Sequence, residues 1–168
     1  MISQKIVEAI NGQIKEEFYS AYLYLALAAH YEAAHLKGFY QWLMAQYEEE
    51  MQHAIKFYNY LLERDGKIEL LQIDKPPTDF PPPHEAFKLA YAHEKKITGL
   101  INDLYHLAQT EKDPAFEQFL RWFIEEQVEE EEGTLAIVGK LEKIGKDPTG
   151  LFMLDGQLGQ QKEAGKSE

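Results

Sequence analysis

Apolar residues recur at helical spacing along almost the whole chain, and the placement of the breaks between them leaves few ways to fold it. The first stretch runs from Ser3, which reads as an N-cap, to about Ala33, with Ile6, Ile10, Ile14, Ala21, Leu25 and Ala28 along one face. The second runs from about Leu36 to Arg64, where Asp65-Gly66 predicts a left-handed C-terminal cap. A third spans about His84 to Thr110. Lys112-Asp113-Pro114 then supplies a cap and a first-turn proline for a fourth stretch, which reaches about Ile144 before Gly145. Asp147-Pro148 opens a short fifth helix with Leu151, Phe152, Leu154 and Leu158, ending near Leu158, and the tail 159–168 is expected to be mobile.

Connection lengths constrain how these pieces stack. Each long stretch has about thirty residues and spans ~45 Å at 1.5 Å per residue. The breaks after the first and third are only a few residues, which predicts two antiparallel hairpins. The middle connection, from Lys67 to Pro83, holds about 17 residues that cover ~56 Å when extended, enough to travel the length of a helix. The second and third helices can therefore run parallel. The expected fold is all-α, a single domain over 1–168: a four-helix bundle over about 3–144 with one long crossover, then the short helix at about 147–158.

Several polar residues stand where that bundle needs apolar ones. At 100° per residue Glu17 falls between Ile14 and Ala21, roughly 25° from the centre of its apolar stripe. Glu50 and His53 sit among Phe39, Leu43, Ala54, Phe57 and Leu61; Glu94 sits with Phe87, Ala90, Ile101 and Leu104. Gln127 and Glu130 share a face with Phe116, Phe119, Phe123, Ile137 and Leu141. Each lies near the middle of its own helix, so all share one layer whichever way the helices run. Four carboxylates and an imidazole at one level of an apolar core repel one another strongly unless cations sit among them.

Composition narrows the guests. With 17 basic against 29 acidic residues and a net charge of −12, the chain offers no basic surface for nucleic acid. It has no cysteine, so any metal must be held by oxygen or imidazole. Glu-x-x-His at 50 and 53 places two ligands on one helical face, and mostly carboxylate donors with one nitrogen suit a ferrous ion better than a structural zinc. The longest apolar run, Ala21 to Ala29, is too short to cross a bilayer, and a soluble, cytoplasmic protein without membrane partners is expected.

Three stretches carry a family resemblance: Glu17-Phe18-Tyr19-Ser20-Ala21-Tyr22-Leu23-Tyr24-Leu25, Glu48-Glu49-Glu50-Met51-Gln52-His53-Ala54 and Trp122-Phe123-Ile124-Glu125-Glu126-Gln127-Val128-Glu129-Glu130-Glu131. They resemble prokaryotic non-haem ferritins, and the resemblance covers nearly the whole chain. It implies a ferritin-like bundle whose diiron centre acts as a ferroxidase, oxidising Fe(II) with O2 or H2O2. Glu17, Glu50 and His53 would bind the first iron, with Glu50 bridging to a second held by Glu94, Glu130 and Glu50. Glu49, Glu126 and Glu129, with Glu130 shared, match an additional outer iron site. Helical phase puts Glu126 at the edge of the core stripe and Glu129 well off it. Tyr24 and Gln127 match positions that hydrogen-bond beside the diiron pair, and Trp122 matches a nearby electron donor. The resemblance further implies iron storage as ferric oxide-hydroxide inside a homo-oligomeric cage of 24 chains, with no haem. The fifth helix resembles the segment that gathers at the cage's four-fold axis, Glu48 and Glu49 are candidates for mineral nucleation, and Glu117 is a candidate for an entry pore.

Three alternatives remain open from sequence, one of them a helical scaffold whose buried acids are structural or vestigial and which would show no metal dependence. A bacterioferritin-type haem store would use Met51 as an axial ligand, against which Gln127-x-x-Glu130 stands where that group has a second Glu-x-x-His. A diiron oxidase without a cage would share the centre and differ in particle size.

Overall fold

The computed structural model describes residues 2–165, with side chains described through residue 160. Five helices follow in order: α1 (Gln4–Ala33), α2 (Lys37–Glu63), α3 (Pro83–Thr110), α4 (Pro114–Ile144) and α5 (Pro148–Gly165). No strand occurs among the described residues. Helix starts follow the local chemistry. Ser3 Oγ accepts from Ile6 N at 3.3 Å, and Asp113 Oδ1 accepts from Phe116 N at 3.0 Å ahead of Pro114. Asp147 accepts from the backbone of Thr149 and Gly150 at 3.0 and 3.2 Å ahead of Pro148.

Three helices end in paired Schellman-type bonds, and none uses glycine for the left-handed residue. His35, Asp65 and Lys112 have φ of 61°, 55° and 55°. After α2, Gly66 N bonds Leu61 O at 2.9 Å and Asp65 N bonds Leu62 O at 3.0 Å. The left-handed residue there is Asp65. Gly66 is needed one place later, where a Cβ would lie 2.2 Å from Leu61 Cδ1.

The crossover is tied to α1 at both ends. Asn11 donates to Lys67 O at 2.9 Å and accepts from Glu69 N at 3.0 Å, while Tyr31 donates to Pro81 O at 2.8 Å. The chain thus leaves α2 near the start of α1, runs along it, and enters α3 near its end. Helices α2 and α3 are therefore parallel, and α1·α2 and α3·α4 pack as hairpins.

The core is two apolar clusters separated by a polar layer. One holds Ile6 to Ile14 of α1, Phe57 to Leu61 of α2, Ile97 to Ala108 of α3 and Phe116 to Phe123 of α4. The other holds Tyr24 to Tyr31, Phe39 and Leu43, Ala86 to Ala90, and Ile137 to Leu141, closed by Leu154 and Leu158 of α5. The gap between clusters holds Glu17 and Ser20 of α1, Gln46, Glu50 and His53 of α2, Glu94 of α3 and Gln127, Glu130 and Thr134 of α4, all buried.

Helix α5 departs from expectation by running on to Gly165, past Leu158. Residues 159–165 of the expected mobile tail are helical, and 166–168 lie outside the described residues. The helix docks on α2: Gly159 lies against Gln41, and Asp155 Oδ1 accepts from Phe39 N at 2.9 Å, capping α2, whose own N-cap residue Leu36 makes no side-chain bond. Gly38 permits that approach, because a Cβ there would lie 1.7 Å from Asp155 O. No described helix is long and apolar enough to cross a membrane.

Candidate metal centre

All four long helices deliver side chains to the layer between the clusters. Glu17, Glu50, His53, Glu94, Gln127 and Glu130 are buried, Glu17 and Glu50 to 1% exposure and Glu94 fully. One donor atom each of Glu17, Glu50 and His53 lies within 4.8 Å of the other two. His53, Glu126 and Glu130 form a second such triad. His53 Nδ1 is 3.3 Å from Glu50 Oε2, and its ring stands edge-on to Trp122 and Phe123 with centroids 5.5 and 5.8 Å away. Lys56 Nζ lies 3.6 Å above the Trp122 ring.

Hydrogen bonds restrain several of the acids without neutralising any. Gln13 donates to Glu17 Oε1 at 2.8 Å, and Gln46 donates to Glu130 Oε2 at 2.6 Å. The Tyr24 hydroxyl donates to Glu94 Oε1. Gln127 Nε2 lies 3.3 Å from Glu94 Oε2 and 3.3 Å from Thr98 Oγ1, and Thr98 donates to Glu131 at 2.6 Å. Glu17 Oε2 and Glu50 Oε1 are buried with no partner. No lysine or arginine among the described residues pairs with Glu17, Glu50, Glu94 or Glu130; those cations pair with Glu16, Glu111, Asp113 and Glu142 instead.

Electrostatics follow from that isolation. Burial pushes the Glu17 carboxyl well above the usual range, and the charge of Glu50 pushes the same way. Burial, then the charges of Glu94 and Glu130, raise Glu50. Glu130 is pushed up to about 8 by burial and by Glu94 and Glu49, against the Gln46 hydrogen bond. Burial raises Glu94 even though Tyr24 and Gln127 oppose it. Without a cation Glu130 keeps its proton near neutral pH, and the other three acids are pushed in the same direction, because the layer lacks the positive charge that a divalent ion would supply. Orphaned carboxylate oxygens facing an imidazole in an apolar core are the donor set of a metal site, and carboxylate-rich with one nitrogen they fit ferrous iron.

The ferritin-like domain family matches residues 7–144. The chain belongs to the ferritin family. It is 39% identical over 161 residues to a bacterial non-heme ferritin of Bacteroides fragilis, covering 96% of this chain and 100% of that one. Identity to a bacterial non-heme ferritin of Staphylococcus aureus is 34% over 159 residues, covering 95% of this chain and 96% of that one. A solved open pore ferritin from the hyperthermophilic archaeon Archaeoglobus fulgidus superposes with a TM-score of 0.93 at 44% identity, over 95% of this chain and 98% of that one.

In this ferritin the residues expected to share one layer do share it. Two features differ in detail from the expected ligand sets. Glu94 belongs to neither triad, because its oxygens are turned to Tyr24 and Gln127, although its charge bears on Glu50 and Glu130. Of the expected outer set, Glu126 is half-buried and closes with Glu130 on His53, whereas Glu49 and Glu129 are exposed and belong to neither triad. Glu49 acts on Glu50 and Glu130 through its charge. Glu48 is exposed on α2, Glu117 is half-buried in the first turn of α4, and Met51 is half-buried. Sequence reasoning missed Gln13 and Gln46. Their signal was available: each stands four residues before a buried glutamate, on the same helical face.

Proposed function

We propose that this ferritin is a ferroxidase and iron store: it oxidises Fe(II) with O2 or H2O2 at a two-iron centre and keeps the ferric oxide-hydroxide in a cage of 24 chains. The reading is carried by the unpartnered Glu17 Oε2 and Glu50 Oε1 beside His53, in a core layer where no lysine or arginine answers the charge. Glu17, Glu50 and His53 take the first ferrous ion. Glu50 bridges to the second, which Glu94 and Glu130 hold once Glu94 turns from its metal-free partners. Two ferrous ions supply two electrons to one dioxygen, which with two protons leaves as hydrogen peroxide, and the carboxylates compensate the charge that accumulates on the iron. Gln127 occupies a place where a carboxylate or imidazole would bind more tightly, so the second ion is held loosely and passes on to storage. Glu126 and Glu130, with Glu49 and Glu129 on the outer side, form the adjoining third station.

Likeness to an open pore ferritin over nearly the whole chain supports the cage. A strongly acidic protein, with net charge −12, draws ferrous ions toward it by long-range attraction. Anaerobic addition of two Fe(II) per chain followed by air tests the chemistry: rapid growth of the ferric absorption band is expected, and its absence overturns the reading. Light scattering tests the cage, since a monomer or dimer in solution leaves an oxidase without a store.

A further inference from the structure

Three buried amides touch the acids of the polar layer, and two of them, Gln13 and Gln46, lie outside the expected site residues. Gln13 lies one helical turn before Glu17 and donates to its Oε1 at 2.8 Å. Gln46 lies one turn before Glu50 on α2 but reaches across to α4, donating to Glu130 Oε2 at 2.6 Å. Both are buried, at 4% and 7% exposure. Each bond occupies one oxygen of a carboxylate. In Glu17 the other oxygen is left buried and without a partner, opposite the equally unpartnered Glu50 Oε1.

Resting on the ferroxidase reading, we infer that Gln13 and Gln46 are positioning residues of the metal centre. Each holds one carboxylate oxygen with a neutral N–H and commits the second oxygen to an ion, Gln13 through Glu17 for the first ion and Gln46 through Glu130 for the second. The residue type matters. A lysine in either place would hold the oxygen equally well but cancel the charge that attracts the cation. An apolar residue would leave a flexible glutamate to be ordered at the moment of binding, at the expense of affinity. An amide fixes the carboxylate and leaves its charge intact. Tethering from one turn upstream in α1, and from the facing helix for Glu130, also joins the geometry of the two ions to the register of α1 and to the α2–α4 seam.

Anaerobic titration of the assembled, metal-stripped protein with Co(II) tests this, because the visible d–d band of cobalt reports ligand geometry without any turnover. Wild-type protein is expected to bind at least two Co(II) per chain, the two of the diiron pair and any at the outer station; failure to bind any overturns the ferroxidase reading and this inference with it. Gln13→Met fills the space without a donor and is expected to weaken the first ion about 10- to 100-fold and alter its band, leaving the second ion in place. Gln46→Met is expected to do the converse. Wild-type affinities and bands in both variants overturn the inference while the ferroxidase reading stands. Equal weakening of both ions in both variants also overturns it, since that is what general loosening of the core gives. Melting of the metal-free proteins identifies a variant that has lost its fold, and the other variant then decides.

Discussion

Gln46 of α2 donates a 2.6 Å hydrogen bond to Glu130 of α4, whose carboxyl burial and the charges of Glu94 and Glu49 have pushed up to about 8. A group that keeps its proton to about 8 when folded and to its ordinary 4.5 when unfolded binds more protons in the folded state between those values. Its contribution to stability is complete below about pH 4.5 and is lost as pH rises through about 8, at ~1.4 kcal/mol per pH unit for each such group across the window. Glu17, Glu50 and Glu94 shift in the same direction. Asp113, held low by Arg64, has the opposite sign but acts only below its ordinary 3.8. His93, pushed down to about 4 by burial, opposes this fall only below its ordinary 6.5, so guanidinium unfolding of the metal-stripped protein should show stability falling from pH 6.5 to pH 8.5. A rise over that range would contradict the buried, unpaired state of these acids.

The same protons should leave when metal enters. Near pH 6.5 Glu130 is protonated in the metal-free protein, and Glu17 and Glu50 are biased the same way. Binding of a redox-inert divalent ion then releases about one or more protons per chain at that pH and fewer at pH 9. Calorimetry in buffers of different ionisation enthalpy reads the number directly. Release that is independent of pH would mean that the ion goes to ordinary ionised surface carboxylates.

Much of this was legible because the acids interrupt a stripe that is otherwise apolar. Glu17, Glu50, Glu94 and Glu130 are conspicuous at core phase, and their mid-helix heights coincide with the gap between the two apolar clusters. Gln13 and Gln46 passed unnoticed because a neutral amide carries no charge that demands an explanation and because, unlike Gln127, neither stands in a stretch that carries the family resemblance. The left-handed cap expected at Asp65-Gly66 is there, with Asp65 as the left-handed residue; His35 and Lys112 take the same conformation without a glycine to signal it, because the closing backbone bonds outweigh the steric preference for glycine. The length of α5 was missed because Gly156 and Gly159 weaken the local helical signal. Docking against α2 supplies what the local sequence lacks, and Gly159 permits a close approach to Gln41. Which atoms of His53, Glu126 and Glu130 converge depends on rotamers, which spacing does not determine.

Replacing Glu50 should separate stability from activity. Glu50→Gln keeps the volume but removes one of the mutually repelling charges, so the metal-free protein at pH 8 is expected to gain ~1–3 kcal/mol. The bridging oxygen loses its charge at the same time, and rapid iron oxidation should fall ~100-fold or more. His53→Ala should lose the rapid phase as well. It should also lose stability, because the ring packs against Trp122 and Phe123 and leaves a cavity. Both variants should still assemble. Stopped-flow absorbance and light scattering check the two halves of the prediction, and a destabilised, fully active Glu50→Gln would reverse the assignment.

At the other end of α2 the prediction concerns the fold alone. Asp155 caps α2 through Phe39 N, and Asp155→Ala leaves that N–H unsatisfied at a cost of ~1 kcal/mol, or ~2–4 °C in melting temperature for a chain of this size. Gly38→Ala is more severe. Its Cβ would sit 1.7 Å from a backbone oxygen of α5, so the helix must move away, and overpacking of this kind costs ~1–3 kcal/mol on top of the lost cap. Glu50 lies three turns further along, ~18 Å from Gly38, and should feel neither change. Calorimetry of Gly38→Ala should show the larger fall in melting temperature while divalent metal binding stays at the wild-type level. An unchanged melting temperature would mean that α5 does not rest on α2 through this contact.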